Sequence, residues 1–525
     1  MESSWNRTES KQKLHKRIVY CFLILVSFLF LRYVGSAEPF LFDDSQGYMK
    51  IAYIEGVMPV YPLFLLVNQF LFGLEAYESM VVLEQSVLTV VCIIVFVRGM
   101  DKQFQLANWE IILITALSLF PFTTNLPESM TTQEILTEGI AYPVFYLWML
   151  ALLKTVWKRS YRWLATATLL TLFLALTRSQ LQILFGVCGL VLCYVCVCKM
   201  KDRFSRKIAV CVGIIGCAIL SLAGIWITSR SSVLYGNLVR ENIGFKQFVA
   251  SVQNPETQKN IAETVDNADE VQEQDAVKPK KQQITTSQYI SLIFSRGMYE
   301  AEETDAELFE DGIVKELYRY LYDAVDQKEE TYAYAQKGLW MWKDITGGVG
   351  LVGKTCYTAQ KEFYRTYYPE IMEGDNYSEI RNQHLVVIGI TLLKAHVGRF
   401  IYHTMMLLPQ AFICTVFFQI APIYLLCHLV TLFLYLSAII MTIWAMMDRK
   451  ANSRLAEFMA VVLVTDIVMV CVISIVFFGQ QRYLVYAFGI FYIAYYLLLK
   501  ELWVLYLGKW AGKLIGMKEN KVGKE

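Results

Sequence analysis

The chain has 525 residues, of which 56% are hydrophobic and only 18% are charged. Soluble domains carry roughly 25% charged residues, so this composition indicates a membrane protein with length for several spans and one soluble unit. The net charge of +1 argues against a nucleic-acid partner, which would favour a basic patch.

Ten apolar segments approach the length of about 20 residues that a membrane-spanning helix needs. They lie near 18–36, 78–98, 107–123, 135–153, 162–177, 181–198, 208–228, 420–447, 455–478 and 484–508. The first follows a basic stretch, Lys11 to Arg17, and has no small-residue cleavage site that is followed by a soluble chain. It is therefore expected to be an uncleaved span whose amino end is cytoplasmic.

The basic residues between spans fall in alternate loops, all on the side of the amino terminus. The five groups are Arg98 and Lys102; Lys154, Lys158, Arg159 and Arg162; Lys199, Lys201, Arg203, Arg206 and Lys207; Arg449, Lys450 and Arg454; and Lys509, Lys513 and Lys518. The positive-inside rule then predicts a multi-pass protein of the cell membrane with both termini in the cytoplasm. The loops 37–77, 124–134, 178–180, 229–395 and 479–483 are predicted to be outside.

This topology divides the chain into three regions and predicts an all-α polytopic membrane fold. Residues 1–228 form a membrane module with a first outer loop at 37–77, and residues 396–525 form further membrane helices and a cytoplasmic tail. Residues 229–395 are predicted to be a mainly helical extracytoplasmic domain. Its stretch from Asn254 to Gln288 has a composition typical of mobile segments. The segment 384–410 is predicted to be amphipathic and to lie on the membrane surface.

The 12 cysteines do not indicate a disulfide framework or a zinc site. Most of them lie in apolar runs, and the polar stretch contains only Cys356, so a disulfide within it is impossible. No CxxC pair has a second partner pair, which argues against structural zinc.

The first outer loop holds adjacent carboxylates, Asp43 and Asp44, directly after the first span. Tyr48 lies four residues after Asp44, so the two can share a helix face. Pro59 and Pro62 then interrupt the chain before an apolar run that is too short to span. We expect two short surface helices to hold the carboxylate pair at the membrane, although solvated aspartates that cap a helix are the simpler alternative.

Further charged residues lie at other predicted outer ends of spans. Glu128, Glu134 and Glu138 precede or open the fourth span, where carboxylates are costly without a partner or a function; acids that favour a helix dipole are an equal alternative. Arg178 and Arg482 lie where a lipid phosphate would lie. Arginine suits phosphate binding, but ordinary interfacial anchors are common at such positions.

The order of several motifs resembles the GT-C superfamily of membrane glycosyltransferases, particularly bacterial relatives of protein O-mannosyltransferases and aminoarabinose transferases. The motifs are DSQGYMKIA, YPLFLL, LFG, VLEQSVL, LFPF, ILTEGIAYP, LALTRSQ and QQRYLVY. The resemblance covers about 18–200 and more loosely 380–500, but not the polar domain. No single motif is specific. Many relatives have Asp-Glu where this chain has Asp43-Asp44, or Asp44-Ser45 in the favoured alignment through Tyr48, which makes Asp44 the key acid. Relatives often have an Arg where Val60 and Tyr61 stand.

The resemblance implies a glycosyltransferase of the cell envelope that moves a sugar from a polyprenyl-phosphate donor to a hydroxyl of a glycan, lipid or protein acceptor on the outer face. It implies Asp44 as the base, with Asp43 as helper or second candidate, and inversion at the sugar. Tyr48, Glu138, Arg178 and Arg482 would bind substrate. The resemblance makes no cofactor certain, and a divalent cation, Mg²⁺ or Mn²⁺, between carboxylate and phosphate is an open alternative.

Three other classes share parts of this pattern. A transporter or flippase for lipid-linked sugars would carry charged residues at mid-membrane, and Asp466 in the ninth span is the clearest one. A polysaccharide polymerase or ligase would centre on a large outer loop rather than on the first loop. A non-catalytic assembly protein would use the polar domain to bind a partner.

Overall fold

The computed structural model describes residues 2–33, 39–41, 43–51, 57–122, 132–200, 203–253, 287–335, 341–374, 377–417, 423–448, 450–476 and 484–507. Within these residues the regular structure is helical, and an isolated bridge between Phe40 and Glu134 is the only strand-like pairing. The predicted all-α polytopic membrane fold is therefore confirmed.

The amino-terminal part of the chain forms nine helices. They are α1 (Glu2–Tyr33), α2 (Asp43–Met49), α3 (Val60–Phe104), α4 (Asn108–Leu119), α5 (Glu138–Lys158), α6 (Tyr161–Thr177), α7 (Leu184–Lys199), α8 (Arg203–Glu241) and α9 (Ile243–Gln253). A 3₁₀ turn, Phe120–Phe122, extends α4, and another, Ser179–Ile183, joins α6 to α7.

A kink at Gly73 divides α3 into a short first helix and a long second one. Gly73 has φ of 71°, a left-handed conformation that side chains other than glycine disfavour. The first part begins at Val60, directly after Pro59. This arrangement matches the prediction of two short helices, α2 and the start of α3, after the first span.

The carboxyl-terminal part begins with a helical unit that has its own hydrophobic core. Its helices are α10 (Ser287–Tyr299), α11 (Gly312–Asp326), α12 (Met341–Tyr367), α13 (Pro369–Glu373), α14 (Tyr377–Ala395) and α15 (Val397–Val416). Asp311 caps α11 by accepting hydrogen bonds from the backbone of Ile313 and Val314 at 2.8 and 3.1 Å. The core of this unit includes Tyr318 and Tyr364 and reaches Leu407, beyond the predicted boundary at 395. Its predicted place outside the membrane stays a prediction.

Three more helices complete the described chain: α16 (Tyr424–Met447), α17 (Ser453–Val476) and α18 (Phe488–Leu502). Tyr492 in α18 donates a hydrogen bond from its hydroxyl to the carbonyl of Val416 at 2.5 Å, which satisfies a carbonyl at the end of α15. The segment 384–410, predicted to be an amphipathic stretch, is divided between α14 and α15, which meet at 87°.

Within the described residues, eight helices are long and apolar enough to cross a membrane, and α14 with α15 could form one further, broken span. Two shorter apolar helices, Asn108–Phe122 and Tyr161–Thr177, accompany them. Each of the ten predicted spans overlaps one of these ten helices. The chain is therefore a multi-pass membrane protein.

Candidate functional site

The side chain of Gln85 links three separate parts of the amino-terminal region. Its amide nitrogen donates to the carbonyls of Thr132 and Glu134 at 2.9 and 3.0 Å, and its amide oxygen accepts from the Tyr61 hydroxyl at 3.0 Å. Gln85 is fully buried inside α3. A buried amide must find partners, so it fixes the segment before α5 against the start of α3.

The first loop reaches the same place through its backbone. The amide of Phe40 donates to the carbonyl of Gln133 at 3.0 Å, and the amide of Ile135 donates to the carbonyl of Phe40 at 3.2 Å. Phe40 lies three residues before Asp43, the first residue of α2. This pairing therefore brings the first turn of α2 beside the segment that leads into α5.

The far end of α2 is fixed by α3. The side-chain amide of Gln69 donates to the carbonyl of Met49 at 2.9 Å. The ring of Tyr48 meets the ring of Tyr61 edge to face, with centroids 5.5 Å apart. Tyr48 is half-buried in this position. The chain is therefore held on both sides of α2, by the segment before α5 at its start and by α3 at its end.

Glu138 and Arg178 form a buried ion pair at one end of the antiparallel helices α5 and α6. Their side chains are 5% and 8% exposed. Glu138 opens α5 and Arg178 caps the end of α6, so each charge also favours the dipole of its own helix. The Thr137 hydroxyl donates to Glu138 at 2.8 Å, and Arg178 Nε donates to Gln180 Oε1 at 2.5 Å. Arg178 therefore has partners within the protein, and its predicted contact with a lipid phosphate stays a prediction.

The Gln85 contacts and the ion pair belong to one polar region. Glu134 and Glu138 are four residues apart. The carboxylates of both residues and the hydroxyl of Tyr48 interact electrostatically with the Tyr61 hydroxyl. We call this region, formed by Tyr48, Tyr61, Gln85, Glu138 and Arg178, the first-loop site.

The structure locates the predicted site residues to different degrees. Tyr48, Glu138 and Arg178 lie together in the first-loop site. Asp43 and Asp44 are the first two residues of α2, but their side chains lie outside the described part of the chain. Glu128 and Arg482 also lie outside the described residues, so their predicted roles stay predictions.

Sequence analysis missed Gln85, Tyr61 and Gly139 as members of this region. A Cβ atom on Gly139 would lie 2.3 Å from the side-chain amide of Gln85, so only glycine leaves room for that amide. Gln85 is a polar residue within an apolar span, and that signal was visible in the motif VLEQSVL. Tyr61 and Gly139 gave no comparable signal in the sequence, because their importance depends on contacts between distant segments.

The segment after α8 covers the first loop. Gln253 in α9 donates to the carbonyl of Met49 at 2.9 Å and to Gln69 Oε1 at 3.2 Å. Phe248 in the same helix meets Phe70, with ring centroids 5.8 Å apart. α9 therefore forms one wall beside α2 and the short first part of α3.

A second buried carboxylate, Asp466, lies in the middle of α17. Its Oδ2 accepts from the Tyr435 hydroxyl at 3.1 Å, and that hydroxyl also contacts Thr415 Oγ1 at 2.7 Å. Asp466 is 1% exposed. This group joins α15, α16 and α17, and it is separate from the first-loop site.

The described residues contain no group of three His, Cys, Asp or Glu side chains that could hold a metal ion. No protein-family model matches the chain, and no curated protein matches it.

Proposed function

We propose that the chain is a membrane glycosyltransferase of the GT-C type that transfers a sugar from a polyprenyl-phosphate donor to an acceptor hydroxyl. The supporting observation is the backbone pairing of Phe40 with Gln133 and Ile135. It brings the start of α2, which carries Asp43 and Asp44, beside the segment that leads to the buried pair of Glu138 and Arg178. The motif resemblance supports the same assignment.

The proposed reaction is a direct displacement at the anomeric carbon. Asp44 accepts the proton of the acceptor hydroxyl as its oxygen bonds to that carbon. The bond between the carbon and the phosphate oxygen breaks, and the phosphate leaves with the electron pair. Attack opposite the leaving group inverts the anomeric configuration. Asp43 is the second candidate for the base.

A cation at the leaving phosphate would stabilise the charge that develops there. Arg482 and Arg178 are the proposed phosphate contacts. A donor phosphate at Arg178 would have to share the guanidinium with Glu138, which Arg178 already contacts. Glu138 and Tyr48 are proposed to orient the acceptor.

The proposed orientation puts this site and residues 229–395 on the outer face, with both termini in the cytoplasm. The alternation of basic loops supports it. The lipid tail of the donor would then lie in the bilayer, and its phosphate would lie at the depth of the first-loop site.

The test measures radiolabel transfer from polyprenyl-phosphate mannose, a first probe, to an envelope extract by purified protein in sealed vesicles. Asp44→Asn should lower the rate by about 10²–10⁴-fold, because the amide cannot accept the proton. Glu75→Gln, which changes an exposed carboxylate of α3, is the matched control. Parent-like rates for both Asp44→Asn and Asp43→Asn would refute the base. In inside-out vesicles the outer face of the membrane faces the interior. Transfer to an impermeant acceptor enclosed in such vesicles, but not to the same acceptor added outside, supports the proposed location of the site on the outer face.

The two arginines are tested by donor titrations of Arg→Lys and Arg→Gln variants. A phosphate contact uses the planar guanidinium, so lysine should raise KM or lower kcat, and glutamine should be worse. Unchanged kinetics in Arg178→Gln would remove that residue from the site. The same result for Arg482→Gln would leave the donor phosphate without a proposed partner.

The buried Asp466 favours a second candidate, a proton-linked transporter or flippase for lipid-linked sugars. Ionisable residues within spans often mark transport pathways. Under this alternative, Asp466→Asn abolishes movement of a labelled lipid-linked sugar across vesicles, and Asp44→Asn does not. A polysaccharide polymerase or ligase, the other enzyme considered, would lengthen or attach a lipid-linked glycan in the same assay.

A further inference from the structure

A groove of about 170 Å³ lies between α5, α7, α16 and α17, and none of the residues that line it belongs to the first-loop site. Its walls are almost entirely aliphatic and include Val156, Val187, Val191, Val461 and Val464. All four helices belong to segments that are long and apolar enough to cross a membrane. The groove is therefore a feature of the membrane-embedded surface.

The groove opens sideways, toward the surface that a bilayer would cover. Three residues at its edge, Leu190, Val464 and Met446, are 45%, 37% and 54% exposed. An apolar cavity of about 150 Å³ is large enough to stay dry and to take up a benzene-sized hydrocarbon. The groove can therefore hold a segment of a hydrocarbon chain of comparable size.

One end of the groove is polar. Glu457 lies at this end, where it accepts from Arg159 at 2.5 Å and from the Tyr194 hydroxyl at 3.0 Å. The guanidinium of Arg159 also lies over the Tyr194 ring, 4.6 Å from its centroid. Because Arg159 balances Glu457, this carboxylate does not leave the end of the groove negatively charged.

The surroundings of that polar end resemble a membrane interface. Lys199 lies over the ring of Tyr161 at 3.6 Å, and Lys154 lies over the ring of Trp163 at 4.2 Å. Trp157 donates to the backbone carbonyl of Arg454 at 3.1 Å. Aromatic rings mixed with lysine and arginine are typical of the depth at which lipid headgroups lie.

We propose that this groove binds one acyl chain of an anionic phospholipid, with the headgroup phosphate among the basic residues at its polar end. Lys158, Lys199 and Arg454 are exposed, and they lie one, five and three residues from Arg159, Tyr194 and Glu457, which form the polar end. We call these three cations the rim. Each lysine or arginine at the depth of the lipid headgroups raises the affinity for an anionic lipid by about fivefold. The apolar walls of the groove fit the acyl chain of this ligand, and the cations at its polar end fit the headgroup phosphate. The inference does not depend on the proposed glycosyltransferase activity.

Native mass spectrometry of the full-length protein in detergent tests the proposal, with phosphatidylglycerol and phosphatidylcholine of identical chains as probes. One phosphatidylglycerol should bind at least about tenfold more tightly than phosphatidylcholine, because the rim carries several cations. Val464→Trp should abolish that tight site, since the indole fills the groove. Val472→Trp is the matched control, because Val472 lies in the same helix, is 41% exposed and is not part of the groove.

The rim is tested separately by Lys199→Gln with Arg454→Gln, which should reduce the preference for phosphatidylglycerol but leave phosphatidylcholine unchanged. The proposal is overturned if Val464→Trp binds phosphatidylglycerol as the parent does, or if the two lipids bind equally to the parent. It is also overturned if polyprenyl phosphate displaces phosphatidylglycerol from the parent and is itself excluded by Val464→Trp, because the occupant is then an isoprenoid.

Discussion

Two polar regions of this membrane protein are built on different principles. In the first-loop site, neutral groups around Gln85 hold backbone segments together, and the ion pair of Glu138 and Arg178 lies at helix ends. In the second region, three basic residues at the start of α15, namely His396, which precedes its first turn, and Arg399 and His403 within it, each contact an acidic residue after α10. His396 contacts Asp305 at 2.7 Å, Arg399 contacts Glu302, and His403 contacts Glu300. We call these three contacts the α15 row.

The exposure of the pairs changes along the α15 row. The side chains of His403 and Glu300 are 1% and 3% exposed, whereas those of Arg399 and Glu302 are 40% and 46% exposed. An ion pair in water contributes little, whereas removal of one partner from a buried pair is costly. Mutations in the α15 row should therefore act on stability in proportion to burial. Mutations around Gln85 should instead act by displacing its amide from the three hydrogen bonds that it makes.

The largest effect is expected for His403→Ala. The substitution removes the hydrogen-bond partner of a carboxyl group that is almost fully buried, which costs about 1–3 kcal/mol of unfolding free energy, and the cavity left by the imidazole adds to this cost. The midpoint of thermal unfolding in detergent should fall strongly. Sugar transfer per folded molecule should stay unchanged, since the first-loop site is elsewhere.

Glu300→Gln and the double variant complete a cycle for this pair. The double variant should be less destabilised than the sum of the two single changes, because no charge is left buried alone. Additive effects, or a specific loss of transfer in His403→Ala, would show that the two regions are not independent.

A smaller effect is expected for Gly139→Ala in the first-loop site. The new methyl group would lie 2.3 Å from the Gln85 amide and displace it from the carbonyls of Thr132 and Glu134. Overpacking of this kind costs about 1–3 kcal/mol. Both the unfolding midpoint and the transfer rate should fall, because the displaced segment carries the pairing with the first loop.

Gly398→Ala is the control for this substitution, since a Cβ atom there meets nothing within 4 Å. If Gly139→Ala and Gly398→Ala have the same midpoint and the same transfer rate, the fixed position of Gln85 is not needed for the site.

Much of the architecture was predictable because a membrane span is encoded locally. Burial in lipid requires a continuous apolar run of about 20 residues, and all ten predicted runs overlap helices of the fold. Glu138 and Arg178 could be placed at the ends of spans for the same reason. Their mutual contact could not, because it depends on how α5 packs against α6.

The contacts that the sequence did not reveal join distant segments through ordinary polar residues. His396, Arg399 and His403 have helical spacing, but their acidic partners lie 91, 97 and 103 residues away. Gln85 lies 47 and 49 residues from the carbonyls that it holds. Nothing in the local pattern indicates which of many acids or carbonyls such a residue will meet.

The smallest effect is expected for Arg399→Gln, and its dependence on pH tests whether exposure decides how much each pair of the α15 row contributes to stability. The hydrogen bond from Arg399 lowers the pKa of Glu302. A carboxylate with a lowered pKa in the folded state contributes stability above its unfolded pKa of about 4.3, and that contribution is lost as the pH falls through the folded value. Because both side chains are well exposed, solvent screening limits the contribution to about 0.2–1 kcal/mol. The unfolding midpoint of Arg399→Gln should therefore lie slightly below that of the parent at neutral pH, and the difference should shrink below about pH 4 and in high salt.

Glu302→Gln should reproduce this behaviour, since it removes the same pair from the other side. Two results would contradict this prediction. One is a fall in the unfolding midpoint as large as that of His403→Ala, and the other is a fall that stays constant from neutral to acidic pH. Either would mean that the exposure of a pair in the α15 row does not decide its contribution to stability.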